Sequence, residues 1–469
     1  MKIEQLYTGC LSQGAYYIES KGEVAIIDPL REIHHYIERA EKDKATIKYI
    51  FETHFHADFV SGHLSLSKET GAPIVYGPTA KPDFDVIIAQ DGQAFSLGEI
   101  TIVALHTPGH TMESTTFLLR DKTGKDHAIF SGDTLFLGDV GRPDLAQKAT
   151  AMTQDELAGL LFDSLRSKIL PLADDVIVYP AHGAGSACGK NMMKETIDSL
   201  GNQKKTNYAL RHDLTREEFI REVTDGLLPP PSYFPLNVRM NKSGYEDLDL
   251  ILERGSRALT PEEFEQLAND KGALVLDVRH QDDFVLGHVP QSVFIGIDGG
   301  FAPWVGTLIA DVKQPLLLIT PEGREEETIT RLSRVGFDQT LGFLKGGLDA
   351  WKASGRPWDT ISSITADAME KELANKNTPV FDVRKEAEYA SGHIQGALHS
   401  PLSLINDFIA SFPEEKSFFL HCAGGYRSVI AGSILKKRGV HNFIDVKGGF
   451  KAIQQTAIPQ SDDVCPSTL

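Results

Sequence analysis

The segment 53–63 contains three histidines and an aspartate, residue types that commonly bind metals. It includes His54, His56 and Asp58 and follows the apolar run 47–51, which is typical of a buried strand. Imidazole nitrogens and carboxylate oxygens suit zinc, iron or manganese. Open sheets present their ligands at the ends of strands. The segment therefore predicts a metal site, and a histidine-rich polar loop is the alternative interpretation.

Three later strand-like runs also lead to a histidine or an aspartate. They share an apolar run followed within a few residues by a candidate ligand: 99–105 before His110, 128–130 before Asp133, and 176–179 before His182. A metal centre at one edge of a β-sandwich requires this arrangement, because several strand ends must contribute to it. One such ending is weak support for a metal centre, whereas four together are strong.

This set resembles the metallo-β-lactamase superfamily, whose fold is an αββα sandwich. The family motif H-x-H-x-D-H is matched by His54, His56 and Asp58, and its remaining ligands are matched in order by His110, Asp133 and His182. One position departs from the motif, because Phe59 stands where the family has its last motif histidine. In two-metal members that histidine holds the second ion. The resemblance therefore disfavours a binuclear zinc hydrolase of the glyoxalase II type.

The remaining donors are similar to those of the persulfide dioxygenases in this superfamily. The resemblance implies that His54, His110 and Asp133 hold one non-haem Fe(II) per chain, since two histidines and one carboxylate leave positions open for O2 and substrate. The resemblance implies that the other candidates orient waters and ligands by hydrogen bonds. These other candidates are His56, Asp58 and His182. Zinc as the metal and His56 as a ligand stay open.

Two further residues are substrate-site candidates by the same resemblance, and Cys188 is a candidate because of its position in the chain. Arg142 stands where the family places a cation for the carboxylate of the thiol substrate, a task that suits a guanidinium fork; a solvated loop arginine is the alternative. Tyr179 lies near the family's substrate contacts. Cys188 follows His182 by six residues and is a candidate accessory thiol for carrying a persulfide. An ordinary packed or partly exposed cysteine is the alternative for Cys188.

The second half of the chain contains an internal repeat. Asp-Val-Arg at 277–279 recurs at 382–384, and Gly-His at 287–288 recurs at 392–393, in both cases 105 residues on. Lys-Gly-Gly at 345–347 recurs 102 residues on. The repeats open at Thr260 and Thr365, each a predicted helix N-cap. The repeat therefore predicts two homologous domains. Their alternating strands and helices predict parallel α/β sheets.

The repeat motifs resemble the rhodanese family. In the second repeat, Cys422 starts a glycine-rich loop with Gly424, Gly425 and Arg427, and a helix is predicted from Ser428. Backbone N–H groups and the positive end of the helix dipole would stabilise a thiolate or a persulfide anion there. The predicted catalytic residues are therefore Cys422 and Arg427, with Gly424 and Gly425 in substrate binding.

The first repeat has Thr320 where the second has Cys422, in a shorter and more acidic loop. Because it lacks the thiol, this repeat cannot form a persulfide and is predicted to be a pseudo-rhodanese that acts as a spacer or docking surface. The predicted domains are residues 1–240, 255–360 and 361–469. Prolines within 229–235 predict a tether after the first domain, since proline fixes φ and lacks a donor. The predicted fold is a multidomain α/β and α+β chain.

Composition narrows the partners of this 469-residue chain. The net charge of −18 disfavours nucleic acid and anionic membranes. The N-terminus has no apolar signal core, so a cytoplasmic enzyme is expected. Four cysteines in such a chain argue against a disulfide framework. No role is predicted for Cys10 or Cys465.

The combined architecture resembles bacterial sulfide-detoxifying enzymes. The resemblance implies O2-dependent oxidation of a thiol persulfide to sulfite, followed by transfer of sulfur from Cys422 to sulfite, giving thiosulfate. A homo-oligomer, either a dimer or a tetramer, is expected. The alternatives are a zinc thioester hydrolase with an accessory sulfurtransferase and a non-catalytic sulfur carrier. The sequence leaves open whether the thiol is glutathione, coenzyme A, bacillithiol or cysteine.

Overall fold

The structure is a computed structural model that describes residues 1–145, 147, 151–227 and 229–461. It divides into two compact units. The first comprises residues 1–248 with 333–336, and the second comprises 249–332 with 337–469. Cys465 lies outside the described residues. None of the described helices is both long enough and apolar enough to cross a membrane.

The first unit contains two six-stranded mixed sheets. The first sheet has its strands in chain order: Lys2–Thr8 (β1), Gln13–Ser20 (β2), Glu23–Ile27 (β3), Thr46–Phe51 (β4), Ile74–Tyr76 (β5) and Ile87–Ile88 (β6). The second sheet has the order β12-β11-β10-β9-β8-β7, with Ala94–Leu97 (β7), Ile100–His106 (β8), Thr115–Arg120 (β9), Asp126–Gly132 (β10), Ile177–Pro180 (β11) and Asp198–Ser199 (β12).

Helices cover the outer faces of both sheets. They are His34–Lys42 (α1), His63–Thr70 (α2), Gln154–Ser164 (α3), Leu200–Thr206 (α4), Arg216–Thr224 (α5) and Phe234–Ser243 (α6). Phe51 and Phe117 meet between the sheets with ring centroids 4.8 Å apart. Tyr36 of α1 is buried against the first sheet, and Leu161 of α3 against the second. The predicted αββα sandwich is confirmed, and its core fixes the strand ends that carry the candidate ligands.

The predicted tether is wrong from Phe234 onward. Helix α6 begins at Phe234 and has Pro235 in its first turn. Proline is tolerated there, because a first-turn N–H has no partner within the helix. Asn237 and Asn241 are buried, so this helix packs into the first unit. The first compact unit extends to residue 248.

The second unit contains two parallel five-stranded sheets of matching order. The first, β13-β17-β16-β14-β15, has Ala258–Leu259 (β13), Leu274–Asp277 (β14), Val293–Phe294 (β15), Leu316–Ile319 (β16) and Thr340–Leu344 (β17). The other, β18-β22-β21-β19-β20, has Ser363–Ile364 (β18), Val380–Asp382 (β19), Leu398–His399 (β20), Phe418–His421 (β21) and Phe443–Val446 (β22). The predicted pair of homologous parallel α/β domains is confirmed.

Helices separate the strands of both repeats. Helix Leu248–Gly255 (α7) precedes Pro261–Lys271 (α8), Gln281–Leu286 (α9), Phe301–Leu308 (α10), Glu325–Arg334 (α11) and Gly347–Ala353 (α12) in the first repeat. The second has Ala366–Leu373 (α13), Glu386–Ala390 (α14), Ile405–Phe408 (α15), Tyr426–Lys437 (α16) and Gly449–Ile453 (α17). The Thr260 hydroxyl accepts the Glu263 N–H at 3.3 Å, and Thr365 caps α13 likewise. Both predicted helix starts are confirmed.

Candidate metal centre and candidate sulfurtransferase loop

The candidate metal ligands of the first unit converge at one end of the sandwich. His54, His56 and Asp58 follow β4 of the first sheet, whereas the ligands of the second sheet follow three of its strands: His110 after β8, Asp133 after β10 and His182 after β11. All six side chains are buried.

His54, His110 and Asp133 form one compact group. Asp133 Oδ2 lies 3.8 Å from His54 Nε2 and 3.3 Å from His110 Nε2. Candidate ligand atoms of all three residues lie within 4.8 Å of one another. The structure thus brings together the predicted two-histidine, one-carboxylate set, although its ligand role stays a prediction.

Hydrogen bonds orient both histidines of this group toward Asp133. His110 Nδ1 lies 2.8 Å from the carbonyl oxygen of Arg142, which can only accept, so Nδ1 carries the proton and Nε2 keeps a lone pair. The Thr53 hydroxyl donates to Asp28 Oδ2 at 2.8 Å and lies 3.0 Å from His54 Nδ1, so His54 donates to Thr53. Burial, and then the neighbouring histidines, hold the pKa of His54 well below its usual value. Both Nε2 atoms are therefore prepared to bind a cation.

Several polar atoms of the centre have no hydrogen-bond partner among the described residues. They are both carboxylate oxygens of Asp58, both of Asp133 and both ring nitrogens of His182. A buried unpaired polar atom costs about 1–3 kcal/mol. A cation would satisfy these atoms, so the donor set fits a metal.

His56 points toward a second group of acids. Its Nε2 lies 3.1 Å from Asp28 Oδ1 and 3.3 Å from Glu52 Oε2. Although burial lowers it, these two carboxylates raise the pKa of His56 well above its usual value. Burial also raises the pKa of Glu52 to about 7. The His56 ring is 4.3 Å between centroids from that of Phe59, the residue that replaces the family histidine.

Asn241 is a site residue that the sequence did not reveal. Its side-chain amide donates to the carbonyl oxygens of His56 and Phe59, both at 2.8 Å, and its Oδ1 accepts the Ser61 N–H at 2.8 Å. Asn241 therefore fixes the ligand loop from helix α6. Asn241 lies about 180 residues along the chain from that loop, in a segment predicted to lie outside the first domain. No local sequence pattern therefore indicated its contact with the loop.

The predicted substrate residues have different surroundings. Arg142 pairs with Asp144 through two hydrogen bonds of 2.7 Å, and Arg142 Nη1 donates to the Ala187 carbonyl at 3.3 Å. The ring of Tyr179 stacks on Phe130 with centroids 5.1 Å apart, which places it at the sandwich core. Their roles in substrate binding stay predictions.

Cys188 lies at the metal centre. It is buried, and candidate ligand atoms of Cys188, Asp133 and His182 lie within 4.8 Å of one another. Burial, then the charges of Asp58 and Asp133, raise the pKa of the Cys188 thiol well above its usual value. The structure thus places the predicted accessory thiol beside the candidate ligands.

The candidate sulfurtransferase loop begins directly after β21. Cys422 is buried, and its sulfur accepts the Gly425 N–H at 3.1 Å. Gly425 has φ 107°, a conformation that favours glycine, and helix α16 follows it. The loop thus places a thiol at a helix N-terminus, where backbone N–H groups stabilise negative charge.

Arg427 is paired with a carboxylate. Its Nη1 and Nη2 donate to Glu388 at 2.6 and 2.7 Å. Although partial burial raises it, this guanidinium holds the pKa of Glu388 below its usual value. Glu388 therefore compensates the positive charge of Arg427 in this structure. The catalytic role of Arg427 stays a prediction.

The repeated motifs hold the backbone in and around the Cys422 loop. Gly449, in the Lys-Gly-Gly motif, has φ 56°, and an added Cβ would lie 2.4 Å from the Cys422 carbonyl oxygen. The Phe450 N–H donates to that oxygen at 2.7 Å. Arg384 pairs with Asp382 and donates to the Gly392 carbonyl at 2.7 Å. In the first repeat, Arg279 likewise pairs with Asp277 and donates to the Gly287 carbonyl at 2.8 Å.

In the first repeat, a carboxylate of the chain itself occupies the corresponding loop. Glu325 Oε1 accepts the Thr320 hydroxyl at 3.2 Å and the Gly323 N–H at 3.3 Å. The loop donors that could bind an anion are thus used internally. This adds a second reason, besides the missing thiol, for predicting an inactive repeat.

Comparisons with known proteins divide the chain in the same way. The model of the metallo-beta-lactamase superfamily matches residues 8–182, and that of the rhodanese-like domain matches residues 260–354 and 365–456. A metallo-beta-lactamase structure from Staphylococcus aureus subsp. aureus COL is 29% identical with a TM-score of 0.65, covering 74% of this chain and 99% of its own.

Relatives of the first unit have two different activities. The cytoplasmic hydroxyacylglutathione hydrolase of Arabidopsis thaliana is 35% identical over 147 residues, which span 30% of this chain and only 56% of the hydrolase. The mitochondrial persulfide dioxygenase of Homo sapiens is 28% identical over 227 residues, which span 47% of this chain and 78% of the dioxygenase. The chain thus contains a metallo-beta-lactamase domain followed by two rhodanese domains, with distant homology to both of these enzymes.

Proposed function

We propose that the protein couples the oxidation of a thiol persulfide by O2 to the transfer of persulfide sulfur onto sulfite. The main support is that His54, His110 and Asp133 form a compact buried set in the same chain as the Cys422 loop. A sulfur-transfer loop makes sulfur the element on which the metal centre would act. The persulfide dioxygenase relative is consistent with this.

On this proposal His54, His110 and Asp133 would hold one Fe(II), which would supply O2 activation. The chain's own contribution is positional. Arg142 O and Thr53 Oγ1 fix the two histidine rings, and the surrounding burial excludes water. Arg142 stays a candidate for binding the carboxylate of the thiol substrate, a role that requires displacement of Asp144.

At the second centre, the Cys422 thiolate attacks the outer sulfur of a persulfide RSSH. A new S–S bond forms at Cys422, the S–S bond of the donor breaks, and RSH leaves with the proton. Sulfite then attacks the outer sulfur of the Cys422 persulfide, so thiosulfate leaves and the thiolate returns. The Gly425 N–H stabilises the sulfur anion in both steps, and Arg427 is the nearby cation for sulfite.

The decisive experiment is O2-electrode measurement on the full chain with persulfides of several thiols, scored for sulfite and thiosulfate. The wild type should consume O2 and yield thiosulfate. Cys422→Ser should consume O2 but accumulate sulfite, while the matched control Cys10→Ser should behave as the wild type. Asp133→Ala should lose both iron and O2 uptake.

A thioester hydrolase is the second candidate, because the Arabidopsis relative is a hydroxyacylglutathione hydrolase. It predicts turnover of a glutathione thioester without O2 consumption. That result, or thiosulfate formation by Cys422→Ser at the wild-type rate, would reject the coupled scheme.

A further inference from the structure

Asp139 is a buried carboxylate to which the sequence patterns assigned no role. Its Oδ2 accepts the N–H groups of Lys190 and Asn191 at 2.6 and 2.7 Å. Its Oδ1 accepts the N–H of Val140 at 2.9 Å and the hydroxyl of Tyr208 at 3.3 Å. Both oxygens are therefore hydrogen-bonded, as buried polar groups in folded proteins generally are.

The Asp139 side chain joins two segments of the first unit, residues 137–142 and 187–193. Backbone hydrogen bonds link the same segments on both sides of it: the Met193 N–H donates to the Leu137 carbonyl at 2.8 Å, and the Arg142 N–H donates to the Cys188 carbonyl at 2.9 Å. Gly189 allows the close approach, because an added Cβ would lie 3.1 Å from Asp139 Oδ2. Asp139 thus supplies two of the bonds that hold the segments together.

Segment 137–142 contacts two of the candidate metal ligands. The Arg142 carbonyl oxygen lies 2.8 Å from His110 Nδ1, so the position of this peptide fixes the imidazole ring. The Gly141 N–H donates to the Asp133 carbonyl at 3.0 Å, and an added Cβ at Gly141 would lie 2.9 Å from His110 Nδ1. A displacement of this segment would therefore reach the metal centre directly.

We propose that Asp139 is a positioning residue that holds His110 in its metal-binding orientation. It acts through segment 187–193 and the Arg142 peptide. Without the carboxylate, segment 187–193 loses two hydrogen bonds, and the Cys188 carbonyl no longer holds the Arg142 N–H firmly. The His110 ring then adopts other orientations, and the metal binds less tightly. Loss of a hydrogen-bond partner of a ligand costs about 10–100-fold in metal affinity, and the lower end applies to a residue that acts through the backbone.

This role rests on the proposed function only in taking His110 as a metal ligand, and it does not depend on O2 or on a persulfide. Co²⁺ is therefore the probe, because its visible spectrum reports the geometry of its ligands whichever metal the chain uses. In the metal-free full-length chain, Asp139→Ala should weaken Co²⁺ binding about tenfold and shift the visible bands of the bound ion.

Two further variants separate positioning from a general loss of stability. Asp139→Asn keeps an oxygen for the N–H groups of Lys190 and Asn191, so it should restore most of the Co²⁺ affinity and the wild-type spectrum. Tyr208→Phe is the matched control, because it removes a bond to Asp139 but none to segment 187–193. It should bind Co²⁺ as the wild type does.

Alkylation of the metal-free chain with iodoacetamide measures the same contact without a metal. Peptide mapping resolves each cysteine, and buried Cys188 should react at least about tenfold faster in Asp139→Ala, because two hydrogen bonds no longer oppose local opening. Cys422, in the second unit, should react at an unchanged rate. If Asp139→Ala does not fold, Gly189→Ala should produce both changes to a smaller extent.

Equal Co²⁺ affinity or equal Cys188 alkylation in Asp139→Ala and the wild type would overturn the proposal. A loss in Tyr208→Phe as large as in Asp139→Ala, or no recovery in Asp139→Asn, would do the same. A wild type that binds metal but consumes no O2 would instead reject the proposed oxidation and leave this role intact, so the two failures can be told apart.

Discussion

Replacing Asn241 by alanine should loosen the ligand loop without touching a metal ligand. The side chain makes three buried hydrogen bonds, to the carbonyls of His56 and Phe59 and from the Ser61 N–H. Each backbone group left unpaired costs about 1–3 kcal/mol. We take the lower end of this cost for each of the three groups, because water enters part of the space that the side chain leaves. The expected loss in the free energy of unfolding is about 3 kcal/mol.

For a unit of this size, that loss lowers Tm by about 6–12 °C. Because a multi-unit chain need not unfold in one step, hydrogen exchange gives the local measurement. The Ser61 amide should exchange much faster in Asn241→Ala than in the wild type. Iron affinity should fall as well, since the loop carries His54.

Asn237 provides the matched control. It is the same residue type, equally buried and one turn earlier in helix α6, but its side-chain amide atoms have no hydrogen-bond partner among the described residues. Asn237→Ala should therefore cost much less. Equal losses of stability in the two variants would refute the reasoning, because the cost would then come from packing rather than from the loop hydrogen bonds.

Three further predictions concern the second rhodanese repeat. Gly449→Ala should abolish sulfur transfer in a thiosulfate assay and spare O2 uptake, because its Cβ would meet the Cys422 carbonyl at 2.4 Å; retained transfer would show that the loop yields. Glu388→Gln should lower the KM for sulfite with little change in kcat, since the carboxylate no longer competes for Arg427; a higher KM would instead make Glu388 a positioning residue. Burial raises the pKa of Asp445 from 3.8 to about 7. The folded form thus binds this proton more tightly, and stability should fall as pH rises from about 4 to 7. Asp445→Asn should flatten this part of the unfolding profile, and an unchanged slope would contradict the assignment.

Much of the fold was predictable because its signals are local. The strands that precede His110, Asp133 and His182 are short apolar runs followed by polar residues. Hydrophobic periodicity and turn residues both depend on neighbouring positions in the sequence. The helix starts at Thr260 and Thr365 depend on a capping residue and its neighbours.

The predicted tether failed for a reason that is also physical. Pro235 excludes a helix interior but is compatible with a first turn, so its presence could not distinguish a linker from a helix start. Whether α6 packs on the first unit depends on Asn241, whose three partners lie near residue 60. No pattern within the segment encodes such a contact.

Residue identities establish the donor types, their order along the chain, and which repeat carries a thiol. How these groups face one another depends on the folded arrangement. In the fold, Asp133 Oδ2 faces His54 and His110, Glu388 pairs with Arg427, and Cys188 lies near His182. Residue identity limits the chemistry that is available, whereas distance and burial select among its uses, because the free energies of coordination and ion pairing depend on separation and desolvation.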